Sequence, residues 1–134
     1  MKHLLAVTAA MEAGAGLGLV AFPSAVVAVL LGSPLEAANA LAVGRLAGVA
    51  LLALGAACWL SRNLAESRAA RGVVGAMVVY NLGAVIVLAT AGIRSQPVGV
   101  ALWPAVVLHA AMAVWCMVAV RGRLEADHET DALR

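Results

Sequence analysis

Four apolar stretches of this sequence carry polar side chains whose types could do chemistry. Glu12 lies in the first stretch, Arg45 in the second, the pair Tyr80 and Asn81 in the third, and His109 in the fourth. A carboxyl, a guanidinium, a phenol, an amide and an imidazole can together bind a polar group or move a proton. Such side chains are costly inside an apolar helix unless they are paired or hydrated, so they usually face a protein interior. These five residues are the predicted ligand-binding residues.

The composition of the chain decides which solvent it folds in. Its 134 residues are 64% hydrophobic and 12% charged, whereas soluble domains are roughly 45–50% apolar and about 25% charged. A chain this short cannot hide so much apolar surface from water, which argues against a soluble domain and against disorder. The formal net charge is only +2, and the basic residues form no single patch, so nucleic acid is not an expected partner. The expected partner is instead the lipid bilayer.

Each of the four stretches is long enough to cross about 30 Å of hydrocarbon as a helix. The predicted spans are Leu4 to Phe22, Asn39 to Leu60, Val73 to Ala91, and Val98 to Val120. Pro23 interrupts what would otherwise be an overlong first helix, which predicts a separate short helix from Ser24 to Leu31 that ends at the Gly-Ser-Pro sequence after it. This helix is expected to lie at the outer interface or to be tucked against the bundle.

The predicted fold class is therefore all-α: an integral membrane four-helix bundle with a short extra interfacial helix after helix one. Residues 1–120 are predicted to form a single transmembrane domain, and residues 121–134 a polar, acidic cytoplasmic tail. With the N-terminus inside, the cytoplasmic side holds six basic residues and the opposite side only Arg94. The six are Lys2, Arg62, Arg68, Arg71, Arg121 and Arg123. The positive-inside rule then predicts that both termini are cytoplasmic.

Close helix crossings in lipid depend on small residues. Small residues at spacings of four or eight are Ala10, Gly14 and Gly18 in helix one, Gly44 and Gly48 in helix two, and Gly75 with Gly83 in helix three. On helix one, Thr8, Glu12 and Gly16 share a different face. This separation predicts one face of helix one for packing and another for a site.

Depth in the membrane predicts which polar side chains can meet. The 1.5 Å rise of a helix places Glu12 and Asn81 about 12 Å from the cytoplasmic boundary, His109 roughly 16 Å, and Arg45 about 22 to 24 Å. Glu12, Asn81 and His109 are therefore expected at one level. Arg45 either extends down to form an ion pair with Glu12 or reaches outward to headgroups. His109 is either a structural residue that joins helix four to helix one or a group that binds a ligand or moves a proton.

Two further observations concern metal and thiol chemistry. His109, Met112 and Cys116 share a face of helix four and are soft-ligand types, but copper or haem ligation would need more ligands converging on them. Cys58 and Cys116 form no CxxC pair, so they are expected to be buried, unpaired thiols.

The sequence also resembles a known family. The runs AAMEAGAGLGLVAFPSAVVAVLLG, VGRLAGVALLALGAACWL and LWPAVVLHAAMAVW, with the YN pair of the third stretch, look like the small four-helix bacterial membrane proteins grouped as DoxX-like. The resemblance covers residues 4–120 and implies location in the bacterial cytoplasmic (inner) membrane. Members of that group are linked to quinol oxidation, to accessory roles in respiratory or amine-oxidising pathways and, in animals, to assembly of membrane receptors. No catalytic motif of the family carries over residue by residue.

Small multidrug transporters also have four short helices and a glutamate in the first. Here an arginine in helix two would place positive charge beside that acid and oppose cation binding. The aromatic lining of such transporters is also missing, because the chain has one Tyr and one Phe.

Two functions remain. The first is a binding or redox accessory protein whose polar core receives the headgroup of a lipid-like molecule such as a quinone. The alternative is a non-catalytic subunit or assembly factor of a larger membrane complex, or a homo-oligomer. No nucleophile motif, metal cluster or phosphate-binding loop indicates an enzyme.

Overall fold

The computed structural model of the protein describes residues 1–64, 67–94 and 98–132, with side chains described as far as Gly122. All regular structure in these ranges is helical, which confirms the predicted all-α class for this part of the chain. The α-helices are α1 Lys2–Ala21, α2 Pro23–Leu31, α3 Ala38–Ser61, α4 Arg68–Arg94 and α5 Leu102–Ala132, with a 3-10 turn at Arg62–Leu64 after α3. By length and composition, α1, α3 with its turn, α4, and α5 as far as Gly122 could each cross a membrane.

The break between α1 and α2 has the cause that the sequence indicates. Phe22 leaves the helical conformation, with φ −134° and ψ 57°, and Pro23 occupies the first position of α2, where its missing N–H is not needed. The observed start is thus one residue before the predicted Ser24. Gly32 ends α2 with a φ of 87°, in the left-handed region that glycine adopts without strain.

The later helices differ more from their predicted bounds. α4 begins at Arg68 rather than Val73, because the Ser67 hydroxyl accepts a hydrogen bond from the Ala70 amide (3.1 Å) and caps the helix. α5 begins at Leu102 rather than Val98, with Pro104 in its first turn. The backbone of α5 continues through the predicted boundary at residue 120 to Ala132. The side chains of the predicted acidic tail, from residue 123 onward, lie outside the described residues.

The helices form two pairs. α1 packs along α3 and α4 packs along α5, whereas far fewer contacts join one pair to the other. The α1–α3 crossing depends on two facing glycines. A Cβ atom on Gly16 would lie 2.7 Å from the Gly48 carbonyl oxygen, and one on Gly48 would lie 2.8 Å from the Gly16 carbonyl oxygen. The helices can approach this closely only where both side chains are absent.

The packing face predicted for α1 is therefore wrong. A Cβ on Gly14 would meet nothing within 4 Å, and one on Gly18 would meet only Val26 of α2. The close crossing uses Gly16 instead, which lies one turn beyond Glu12 on the same face. Packing and the candidate site thus share one side of α1, because the α3 backbone must pass directly beside Glu12.

The ends of the two pairs are joined in different ways. We call the end with the N-terminus and the 3-10 turn the lower end, and the end with α2 the upper end. At the lower end, all four long helices meet in one core, formed by Leu4, Leu5, Ala9, Cys58, Ala70, Val74, Met77, Met112 and Cys116. At the upper end, α2 reaches the start of α5, where the Ala101 amide donates to the Val29 carbonyl (3.1 Å). Between these junctions the pairs stand apart.

Two substitutions that each add one methyl group test the α1–α3 crossing. Gly16→Ala should lower the thermal unfolding temperature in detergent, because overpacking of a tight contact costs about 1–3 kcal/mol. Gly14→Ala is the matched control and should leave that temperature unchanged or raise it, since alanine is the better helix former by up to about 1 kcal/mol. Circular dichroism measures both. Equal melting temperatures for the two variants would contradict the crossing.

Candidate ligand-binding site

A cavity of about 1200 Å³ lies between the two helix pairs. Every α-helix contributes to its wall, and almost all of the lining side chains are apolar. Of the described residues that line it, three are polar: Glu12 of α1, Tyr80 of α4 and His109 of α5. A large apolar cavity with a few convergent polar groups is the usual form of a small-molecule site.

The polar groups lie together at the lower end of this cavity. The lining residues of α1 run upward from Met11 and Glu12 toward Phe22, just after the helix. On the other side of the cavity the lining residues run downward from Ala101, just before α5, to His109. Above Glu12 the walls are apolar for about ten residues of helix, or about 15 Å of rise. The cavity thus has a polar end, next to the lower core, and a long apolar body.

Glu12 is held in place by its neighbours on α3 and α4. Its side chain is only 5% exposed, and the Tyr80 side chain of α4 lies beside its carboxyl group. The Cβ of Glu12 packs against Gly55 of α3, where a side chain would crowd the α1 backbone. Thr8, one turn below, donates its hydroxyl to the Leu4 carbonyl (2.9 Å) and is therefore satisfied within its own helix.

Asn81 connects α4 to α5. Its Nδ2 donates to the Met77 carbonyl of its own helix (2.7 Å), and its Oδ1 lies 2.8 Å from Nδ1 of His109. The Met77 carbonyl can only accept, so it fixes which end of the Asn81 amide is the nitrogen. Oδ1 then requires a donor, and Nδ1 of His109 must carry a proton. Asn81 is 2% exposed and lies behind His109 as a positioning residue.

The ring of Tyr80 also restrains His109. The two ring centroids are 5.6 Å apart and the rings are inclined by 80°, an edge-to-face arrangement that aromatic rings favour. His109 is therefore held at two points, by the Asn81 hydrogen bond at Nδ1 and by the Tyr80 ring beside it. Four of the five predicted site residues, Glu12, Tyr80, Asn81 and His109, come together here.

Arg45 does not join them. It is exposed on α3, and among the described residues it makes no ion pair with Glu12 or with any other acid. Ala47 and Leu51 are the residues of α3 that line the cavity. Arg45 precedes Ala47 by two residues, which is about 200° of rotation around a helix. Its side chain therefore leaves the opposite side of α3, and of the two alternatives for Arg45 the ion pair is not formed.

The sequence did not indicate that α2 would form part of the site. Ala25, Val26, Val29 and Leu30 of α2 line the upper part of the cavity. The available signal was the composition of α2, which is apolar on every side and so can face both lipid and a cavity. As for metals, the described residues contain no group of three or more His, Cys, Asp or Glu side chains placed to hold an ion.

The hydrogen-bond chain predicts the tautomer of His109. Two-bond ¹⁵N–¹H correlation spectra should show neutral His109 with its proton on Nδ1, because Asn81 accepts there. Asn81→Leu removes that acceptor and should shift His109 toward the Nε2-protonated form. His3 is exposed and serves as the internal control, unchanged by the substitution. A His109 signal protonated at Nε2 in the unsubstituted protein would contradict the arrangement.

Comparison with known proteins adds no assignment to this geometry. No protein-family model, no curated protein and no solved structure matches the chain. The resemblance to DoxX-like proteins therefore stays a prediction, and the function is argued from the site alone.

Proposed function

We propose that the protein is an integral membrane protein whose cavity binds a lipid-like small molecule with a polar headgroup, such as a prenylated quinone or its quinol. In this proposal it acts as a binding or redox accessory protein rather than as an enzyme. The observation that carries the proposal is the form of the cavity, which joins a polar end of three side chains to a long apolar body.

Membrane insertion is supported by the outer surface of the helices. Large apolar side chains are exposed there with no protein neighbour to cover them, for example Val43 (66%), Leu46 (69%) and Ile86 (65%). Water would oppose so much exposed apolar surface, whereas hydrocarbon would solvate it. We propose the bacterial cytoplasmic membrane, with both termini in the cytoplasm and α2 at the outer interface.

The size and opening of the cavity suit an amphiphile with a long chain. Its volume of about 1200 Å³ exceeds the roughly 300–1,000 Å³ of ordinary small-molecule pockets. Phe22 and Val87 line the cavity and are 68% and 66% exposed. The protein therefore does not enclose the cavity at these residues, and in this proposal an isoprenoid chain leaves it there into lipid.

The polar end suits a headgroup that gains or loses protons. A carboxyl, a phenol and an imidazole side chain lie on three different helices around it, and all three form hydrogen bonds. Because the rest of the wall is apolar, the headgroup of a bound amphiphile finds its hydrogen-bond partners only at this end. The bound ligand is then oriented with its headgroup toward the lower end and its chain toward the upper end.

Binding measurements with matched variants test this function. The purified protein in lipid nanodiscs should bind a decyl-substituted benzoquinone, its hydroquinone, or both. Glu12→Gln and His109→Ala should weaken that binding by roughly tenfold or more, since a lost hydrogen bond to such groups costs about 1–3 kcal/mol. Arg45→Gln is the control and should bind as the unsubstituted protein does. Unchanged binding in both site variants would overturn the proposal and favour the alternative, a non-catalytic subunit of a larger membrane complex.

Cysteine labelling from outside the cell tests the proposed orientation. Ser33→Cys, beyond the upper end of α2, should react with a membrane-impermeant maleimide in intact cells. Asn63→Cys, in the 3-10 turn at the lower end, should react only after the membrane is permeabilised. The native Cys58 and Cys116 are buried and give the unsubstituted background. The reverse labelling pattern would show that the termini face outward.

A further inference from the structure

The second ring nitrogen of His109, Nε2, has a fixed hydrogen-bonding role. Nδ1 carries the proton that Asn81 Oδ1 accepts, so in the neutral ring Nε2 carries a lone pair and no proton. This role is fixed, because a flip of the Asn81 amide would place its oxygen against the Met77 carbonyl and lose the hydrogen bond from Nδ2. Nε2 of His109 is therefore an obligatory hydrogen-bond acceptor.

This acceptor is not enclosed by protein. Among the described residues, the one hydrogen-bond partner of the His109 ring is Asn81, at Nδ1. No fully buried polar side-chain atom in that part of the chain lacks a partner, so the unpartnered Nε2 is not sealed in the protein. His109 lines the cavity, so its ring lies where a ligand in the cavity can approach it.

We infer that this cavity selects amphiphiles whose polar end donates a hydrogen bond, such as hydroquinones or other hydroxylated lipids, over those whose polar end can only accept, such as quinones. The inference rests on the proposed function and specifies its ligand class. A hydroxyl group can donate to Nε2 of His109, whereas a quinone carbonyl placed there would leave two acceptors facing each other and unpaired. Asn81 acts as a positioning residue. It does not contact the ligand, but by accepting the proton at Nδ1 it makes Nε2 of His109 a hydrogen-bond acceptor.

Four ligands with one chain length test the inference under anaerobic conditions. They are a decyl hydroquinone, the corresponding quinone, the hydroquinone dimethyl ether and decanol, each titrated calorimetrically into the protein in nanodiscs. We expect the hydroquinone to bind roughly tenfold or more tightly than the quinone and the dimethyl ether, since a site built around a hydrogen bond rejects analogues that cannot make it. Decanol that binds as tightly as the hydroquinone assigns a hydroxylated lipid as the ligand. Weaker decanol binding assigns the hydroquinone itself.

Variants show whether the preference comes from the tautomer. Asn81→Leu lets the His109 proton move to Nε2, so the ratio of hydroquinone to quinone affinity should fall toward one while some binding persists. Arg45→Gln is the control and should keep the ratio of the unsubstituted protein.

The ligand comparison on the unsubstituted protein needs no variant to fold. Quinone binding equal to or tighter than hydroquinone binding would overturn the inference and leave the proposed function standing. Absence of binding by all four ligands would overturn both.

Discussion

Every polar side chain in an apolar helix must find a hydrogen-bond partner, and this constraint determines the site. Hydrocarbon supplies no partner, and an unsatisfied buried polar group costs several kcal/mol. Thr8 meets the constraint within α1, whereas Asn81 meets it with one bond to its own helix and one to α5. Because the Asn81 amide has only one acceptor atom and the Met77 carbonyl orients it, the same bonds that satisfy Asn81 also set the proton on His109. The chemistry of the cavity thus follows from the requirement to satisfy a residue that does not line it.

The cavity persists because small residues serve two purposes in this chain. Gly16 and Gly48 allow the α1 and α3 backbones to touch, and this contact makes one rigid pair. Gly83, Ala84 and Ala105 instead line the space between the pairs, where their short side chains leave volume. Since the pairs are joined by the lower core and, at the upper end, by the contact of α2 with α5, they cannot simply collapse together to fill it.

Sequence could predict what depends on position along one helix and could not predict what depends on rotation about its axis. Hydropathy and Pro23 predict the helices, and the rise per residue predicts that Glu12, Asn81 and His109 lie at one level. Which face each helix turns toward its neighbours depends on its partners, since the spans are apolar almost all round and carry little amphipathic signal. For this reason the spacing of small residues predicts Gly14 and Gly18 as the packing face of α1, although Gly16 makes the contact. For the same reason the Glu12–Arg45 pair could be considered from depth alone, although rotation places Arg45 on the far side of α3.

The position of Arg45 also changes the argument against a cationic ligand. On sequence alone, a positive charge beside Glu12 would repel a cation, but Arg45 faces away from the cavity and supplies no such repulsion there. The argument that remains concerns desolvation. An organic cation that leaves water needs aromatic faces or ion pairing around it. Among the described residues that line the cavity, Phe22 and Tyr80 are the only Phe, Tyr or Trp side chains. Phe22 lies at the upper end and is largely exposed, and the Tyr80 ring is engaged edge-to-face with His109. A neutral hydroxyl headgroup loses less hydration than a cation on entering such a cavity, and the acceptors at the polar end can replace what it loses.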